Sequence, residues 1–240
     1  MFAASMNTND RVIIALDLDS EAEAIGLVER LCAEATCYKV GLQLLTAAGP
    51  SIIRYLIGQG KKVFLDLKLH EIPNSVAGAV TAAGRLGVSM VTVHASAGSA
   101  ALEAAVAAAR PFSHLQVLAL TVITSMGEQD LAGVGVAGSV LEQVERLALL
   151  AASAGCHGVV ASPREAIRLR QVLPAAMLIV TPGTQLPGEA KSHQTRTATP
   201  AQAILAGATH LIIGRSITRA TNPIAAFASI CGEVAEHCNR

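Results

Sequence analysis

Short aliphatic and β-branched runs recur along this chain. Each breaks off at polar residues and is followed by an Ala- or Leu-rich segment with helical spacing. The runs are Val12–Leu16, Cys37–Val40, Val63–Leu67, Met90–Val93, Val117–Val122, Gly158–Val160, Leu178–Val180 and His210–Ile213. Between them the spacing predicts helices over Glu21–Ala33, Gln43–Gln59, Ser75–Leu86, Ser99–Ala109, Val140–Ala154, Pro163–Leu173 and Pro200–Ala206. A last helix is expected over Pro223–His237, with proline in the first turn, where a missing N–H costs nothing. The Gly-rich piece Gly127–Ser139 and the segment Pro182–Thr199 read as loops.

Strand and helix alternating about eight times within 240 residues is the arithmetic of an α/β fold of the (β/α)8 TIM-barrel type. The expectation is a single barrel domain over residues 1–240, with residues 1–10 a flexible N-terminal extension. An open doubly wound sheet shares the alternation, but no G-x-G-x-x-G turn follows the first run, which weakens a dinucleotide-binding reading.

Composition narrows the partners. With 52% hydrophobic residues and almost no aromatics (2%, no Trp), the core must be built from Ala, Val, Ile and Leu, as suits parallel strands covered by helices. A net charge of zero and the lack of stacking side chains argue against nucleic acid. The first eleven residues hold no long apolar stretch, so neither signal peptide nor membrane span is expected. The five cysteines form no C-x-x-C pair and no zinc spacing; free thiols in a reducing cytoplasm are the expected state.

In a barrel of this kind the active site lies at the C-terminal ends of the strands, and polar residues gather there. The runs end at Asp17, Lys39, Asp66 with Lys68, His94, Thr124-Ser125, Ser162, Thr181-Pro182-Gly183 and Gly214-Arg215. The block Phe64–Ser75 is the densest. Asp66 and Lys68 alternate onto one face of an extended chain, and opposite charges at the end of a buried strand are costly unless paired or used. Pro73 cannot sit inside a sheet, and Asn74-Ser75 can cap the helix after it. Taken singly, Asp17 reads as a helix cap, Lys39 as a surface lysine and His94 as a histidine packed beside the site.

Taken in order, the motifs Ala15-Leu16-Asp17, Lys39-Val40-Gly41, Asp66 to Ser75, Val93-His94-Ala95-Ser96, Leu120 to Met126, Val180-Thr181-Pro182-Gly183 and Ile212-Ile213-Gly214-Arg215 resemble the orotidine 5′-phosphate decarboxylase family over essentially the whole chain. The resemblance implies conversion of orotidine 5′-phosphate to UMP with no metal and no cofactor. It makes Lys68 the proton donor, Asp66 the carboxylate beside it, and Lys39 the lysine that completes the array and contacts the ribose. Asp17 falls near the ribose and Thr124 near the pyrimidine, with Gln194, Gly214 and Arg215 at the phosphate. Leu67, Leu69, His70, Pro73, Asn74 and Ser75 belong to the same substrate-binding block. Glu71, with Ile72, is expected to reach the site of the other subunit in a homodimer.

Three positions depart from the family pattern: Glu71 stands for Asp, Ser75 for Thr, and Gln185 for an arginine that contacts substrate. Weaker substrate binding or recruitment of Arg196 or Lys191 is expected from the last. Mg²⁺-dependent sugar-phosphate enzymes share the D-x-K-x-x-D pattern but place Glu where this chain has Lys39, and a lysine there repels a divalent cation. A Schiff-base role for Lys68 needs a neutral amine, which neighbouring carboxylates oppose. A catalytically inactive nucleotide-binding protein is the third alternative, and the complete set Lys39, Asp66 and Lys68 weighs against it.

Overall fold

The eight apolar runs form eight parallel strands that close on themselves in sequence order, β1 pairing with β8. In this computed structural model, which describes residues 7–184 and 198–238, the strands are β1 (Val12–Ala15), β2 (Cys37–Gly41), β3 (Lys62–Leu69), β4 (Met90–His94), β5 (Gln116–Leu120), β6 (Gly158–Val160), β7 (Leu178–Thr181) and β8 (His210–Ile213). Helices α1 (Thr8–Arg11), α2 (Glu21–Leu31), α3 (Leu42–Ala48), α4 (Ser51–Gly58), α5 (Pro73–Leu86) and α6 (Ser99–Ala109) belong to the first half. The second half carries α7 (Glu128–Gly133), α8 (Val140–Ser153), α9 (Pro163–Val172), α10 (Pro200–Leu205), α11 (Arg215–Thr218) and α12 (Pro223–Cys238). Among the described residues no helix is long and apolar enough to cross a membrane.

Alternation along each strand separates two cores. Outward residues such as Ile14, Tyr38, Val40, Val63 and Val91 pack against the helices. Inward residues, among them Ile13, Cys37, Phe64, Met90, Leu118 and Ile212, fill the barrel. Traced toward the C-terminal ends, the inward series turns polar: Ile13, Ala15, then Asp17; Cys37, then Lys39; Phe64, then Asp66; Met90, then Thr92. An apolar floor therefore carries a charged mouth. Gly158 lets β6 close onto β7, since a Cβ there would lie 2.6 Å from both Cβ and the carbonyl oxygen of Leu178.

Several elements differ from the sequence expectations, each for a local reason. The single helix expected over Gln43–Gln59 is two, α3 and α4, because Gly49 turns the chain at φ 65 and Pro50 brings no N–H to continue the ladder. The loop expected over Gly127–Ser139 contains α7, whose first turn is held by the Gly127 N–H donating to Asp130 Oδ2 (2.8 Å) and whose Leu131 is buried. Asn74 and Ser75 do not cap α5; the helix begins at Pro73, with Ile72 as a cap that offers no side-chain bond. Of the flexible extension expected over residues 1–10, residues 1–6 lie outside the described residues, and from Thr8 the chain forms α1, fastened by Asp10 accepting from Lys62 Nζ (2.9 Å) and Thr36 Oγ1 (2.8 Å).

Candidate active site

A cleft of about 1420 Å³ opens at the C-terminal mouth of the barrel. Its base holds an alternating line of charges from three adjacent strand ends. Lys39 Nζ lies 2.7 Å from Asp17 Oδ1 and 3.9 Å from Asp66 Oδ2, and Lys68 Nζ donates to the same Asp66 oxygen at 2.8 Å. The side chains of Lys39 and Asp66 are only 9% and 10% exposed, whereas Lys68 is 34% exposed and Asp17 52%. The desolvated central pair is thus satisfied by neighbours of opposite sign, and the two ends of the line face the open cleft.

The backbone of β3 is irregular where this line is built. Leu65 pairs with Val91 and Leu69 with Val93, so β3 takes four steps where β4 takes two. Within the bulge Lys68 adopts φ 51, a left-handed conformation unusual for a residue with a Cβ. Thr92 holds the distortion in place. Its buried hydroxyl accepts the Lys68 N–H (2.9 Å) and donates to Asp66 Oδ1 (2.9 Å). The third strand does not end at these charges; it continues through the bulge to Leu69.

The opposite side of the cleft is lined by Pro182, Gly183 and Thr184 after β7 and by Gly214, Arg215 and Ser216 after β8. Thr184 Oγ1 donates to the Ile212 carbonyl (3.2 Å), tying the two ends together. Ile123 and buried Thr124 approach from beyond β5. Among the described residues no three His, Cys, Asp or Glu side chains converge to hold a metal ion.

Of the residues singled out in the sequence, Asp17, Lys39, Asp66, Lys68, Thr124, Gly214 and Arg215 line this one cleft. The rest of the block Asp66 to Ser75 does not. Leu67 and Leu69 pack into the layer between barrel and helices. His70 is exposed and stacks on His94 with ring centroids 5.1 Å apart. Glu71 is exposed and turns back to accept the Ile72 N–H (2.6 Å), and Ile72 is 62% exposed. Pro73, Asn74 and Ser75 form the exposed first turn of α5. Gln185 and Gln194, with Lys191 and Arg196, lie outside the described residues.

His94 closes β4 beside the array. Its Nδ1 accepts the Ser96 N–H (3.3 Å), and burial, then the charges of His70 and Lys68, holds its pKa below the usual histidine value. Two groups escaped the sequence reading: Thr92, and the pair at the cleft wall in which Gln43 Nε2 donates to Asp19 Oδ1 (2.6 Å). A polar residue at an inward strand position was the available sign for Thr92.

Residues 10–230 match the model of the orotidine 5′-phosphate decarboxylase / HUMPS family. The chain belongs to this family. Relatives named orotidine 5′-phosphate decarboxylase include proteins of Moorella thermoacetica, 45% identical with 95% of this chain and 94% of the relative covered, and Chromohalobacter salexigens, 47% identical with 94% and 96% covered. Among solved structures, the orotidine 5′-phosphate decarboxylase of Lactobacillus acidophilus superposes with a TM-score of 0.84 at 35% identity, over 93% of this chain and 98% of that one. The membership bears out the family resemblance in the motifs, and the closed barrel bears out the fold. For an orotidine 5′-phosphate decarboxylase / HUMPS family member, the mouth charged by Asp17, Lys39, Asp66 and Lys68 is the place to seek chemistry.

Proposed function

We propose that this chain decarboxylates orotidine 5′-phosphate to UMP, with Lys68 as the proton donor. The observation that carries the reading is the unbroken line Asp17, Lys39, Asp66, Lys68 at the base of the cleft. Loss of carbon dioxide breaks the bond to C6 of the pyrimidine and leaves its electron pair in an sp² orbital that the ring π system cannot delocalise. Stabilisation must come from charge fixed in advance, and the pair must be met by a proton. In this reading the Lys68 ammonium gives a proton to C6, and solvent returns one to the amine. Asp66, already gripped by two lysines and Thr92, stands where a substrate carboxylate would be repelled and its loss favoured. The 5′-phosphate would lie toward Gly183, Gly214 and Arg215, and binding energy gained there supports the chemistry at the far end.

One alternative arises within the family: metal-assisted chemistry on a sugar phosphate. The Lys39 ammonium occupies the space between Asp17 and Asp66, 2.7 Å from one and 3.9 Å from the other, and would repel a divalent cation drawn to those carboxylates. The geometry thus favours the metal-free reading.

The proposal extends to a homodimer in which Glu71 and Ile72 complete the neighbour's site. It is supported by their exposure outside their own cleft and by the exposed apolar side chains Leu42, Ile72 and Ile123 at the ends of β2, β3 and β5, on the rim that bears the cleft.

A spectrophotometric assay of orotidine 5′-phosphate consumption in excess chelator tests the chemistry. Turnover by the wild-type chain, and its loss by at least about a thousandfold in Lys68→Ala, are expected for a group acting on the reacting atom. No turnover by the wild type, dependence on added Mg²⁺, or an active Lys68→Ala would overturn the reading.

A further inference from the structure

The cleft, of about 1420 Å³, is lined by helices as well as by strand ends. Its lining includes residues of both α2 and α11, which form a groove between them. Glu23, Gly26, Leu27 and Arg30 line one wall, Thr218 and Arg219 the other. Glu23, Gly26, Leu27 and Arg30 recur at three- and four-residue spacing, a single face of α2. Arg219 caps α11 four residues after Arg215, so the two stand about one helical turn, roughly 5 Å, apart along the helix, and both line the cleft. Gly26 opens the space between the walls: a Cβ there would meet nothing within 4 Å. A helix interior is weakened by glycine, and here the residue leaves room on the groove side.

The charges in the groove are asymmetric. Its carboxylates sit at the start of α2 and are already engaged, Glu23 Oε2 accepting the Asp19 N–H (3.3 Å) and Asp19 Oδ1 accepting from Gln43 (2.6 Å). The guanidinium groups of Arg30 and Arg219 are exposed and form no ion pair or hydrogen bond with any described residue. Forked cations free on both walls of a groove that starts at a phosphate end suit further phosphate groups.

We propose that this groove is a second anion subsite, which takes the terminal phosphates of a pyrimidine nucleoside 5′-di- or triphosphate while the first phosphate lies by Arg215. The inference rests on the phosphate end assigned under Proposed function. Its consequence is that nucleotides made by phosphorylating the reaction product compete with the substrate.

Calorimetric titration of the full chain with UMP and with UDP, without divalent cations, tests it on the wild type, Arg219→Ala and Gly26→Leu. UDP is expected to bind about tenfold more tightly than UMP to the wild type. Arg219→Ala removes that preference by losing a cation and Gly26→Leu by filling the groove, while both leave UMP affinity within about twofold. UDP binding no tighter than UMP, or a preference that survives both substitutions, overturns the subsite alone. Failure of the wild type to bind UMP overturns the phosphate end, and the subsite with it.

Discussion

Thr92 carries no charge and does not line the cleft, yet two bonds that shape the charged array end on its hydroxyl. One of them fixes the backbone of Lys68 in its left-handed turn and the other orients Asp66. Thr92→Val keeps the shape and deletes both, leaving a buried carboxylate oxygen and an N–H short of partners, at about 2 kcal/mol of stability. Because the lost bonds set the direction of the Lys68 side chain, kcat is expected to fall at least about tenfold with KM little changed, and Thr92→Ser to recover most of it. Urea unfolding together with steady-state kinetics checks this; a Thr92→Val enzyme with wild-type kcat would confine Thr92 to a structural part. The contrast with its neighbours explains what a sequence reveals at this scale. Asp66 and Lys68 stood out because opposite charges at the end of a buried strand are costly, whereas Lys39 was marked by the family resemblance. Thr92 did not, because Met90-Val91-Thr92-Val93 is an ordinary β-branched strand until its partners are known.

At the scale of elements, the strands were legible because parallel strands buried on both faces leave continuous apolar runs. The split between α3 and α4 was written in Gly49-Pro50, whereas α7 is a short turn in glycine-rich surroundings that only its capping bond and buried Leu131 reveal. The bulge in β3 left no sign at all, since alternation alone already put Asp66 and Lys68 on one face. The opposite end of the barrel makes a separate prediction. There α1, β3 and β8 meet around His210, which is 3% exposed and contacts Thr209 Oγ1 through Nδ1 (3.0 Å). Burial pushes His210 down to about 4, with the charges of Arg11 and Lys62 adding to the shift and Asp10 opposing it. The unfolded chain takes up this proton near pH 6.5 and the folded chain only near 4, so the contribution is full above 6.5 and is lost as pH falls through that window. Between pH 7.5 and 5 the loss amounts to about 2 kcal/mol. Urea denaturation at the two pH values should show it in the wild type and not in His210→Asn; an equal loss in both would refute the assignment.

For the whole molecule, the proposed dimer converts Glu71 from a bystander into a participant. In its own chain Glu71 is bonded to the next peptide and stays outside the cleft, which supports a part played in a second copy. Lys68→Ala and Glu71→Ala are each expected to be nearly inactive as homodimers. In a heterodimer the subunit that keeps Lys68 receives Glu71 from its partner, so an equimolar mixture should regain about a quarter of wild-type activity if subunits pair at random. Heterodimers that form without activity would place Glu71 in its own subunit or outside the chemistry. The same comparison bears on the longer side chain at this position, since an intermolecular contact can absorb an added methylene by a small shift between subunits.

The surplus residues of β3 give the site a sensitivity of another kind. Substitutions along the block alter one side chain at a time, but a codon lost between Asp66 and Leu69 would rotate the remainder of the strand to the opposite face and carry the ammonium out of the mouth. A codon lost from the largely exposed residues 134–138 would be absorbed by loop. The spacing of Asp66, Lys68 and Leu69 thus behaves as a reading frame for catalysis: within it, the number of residues matters as much as their identity.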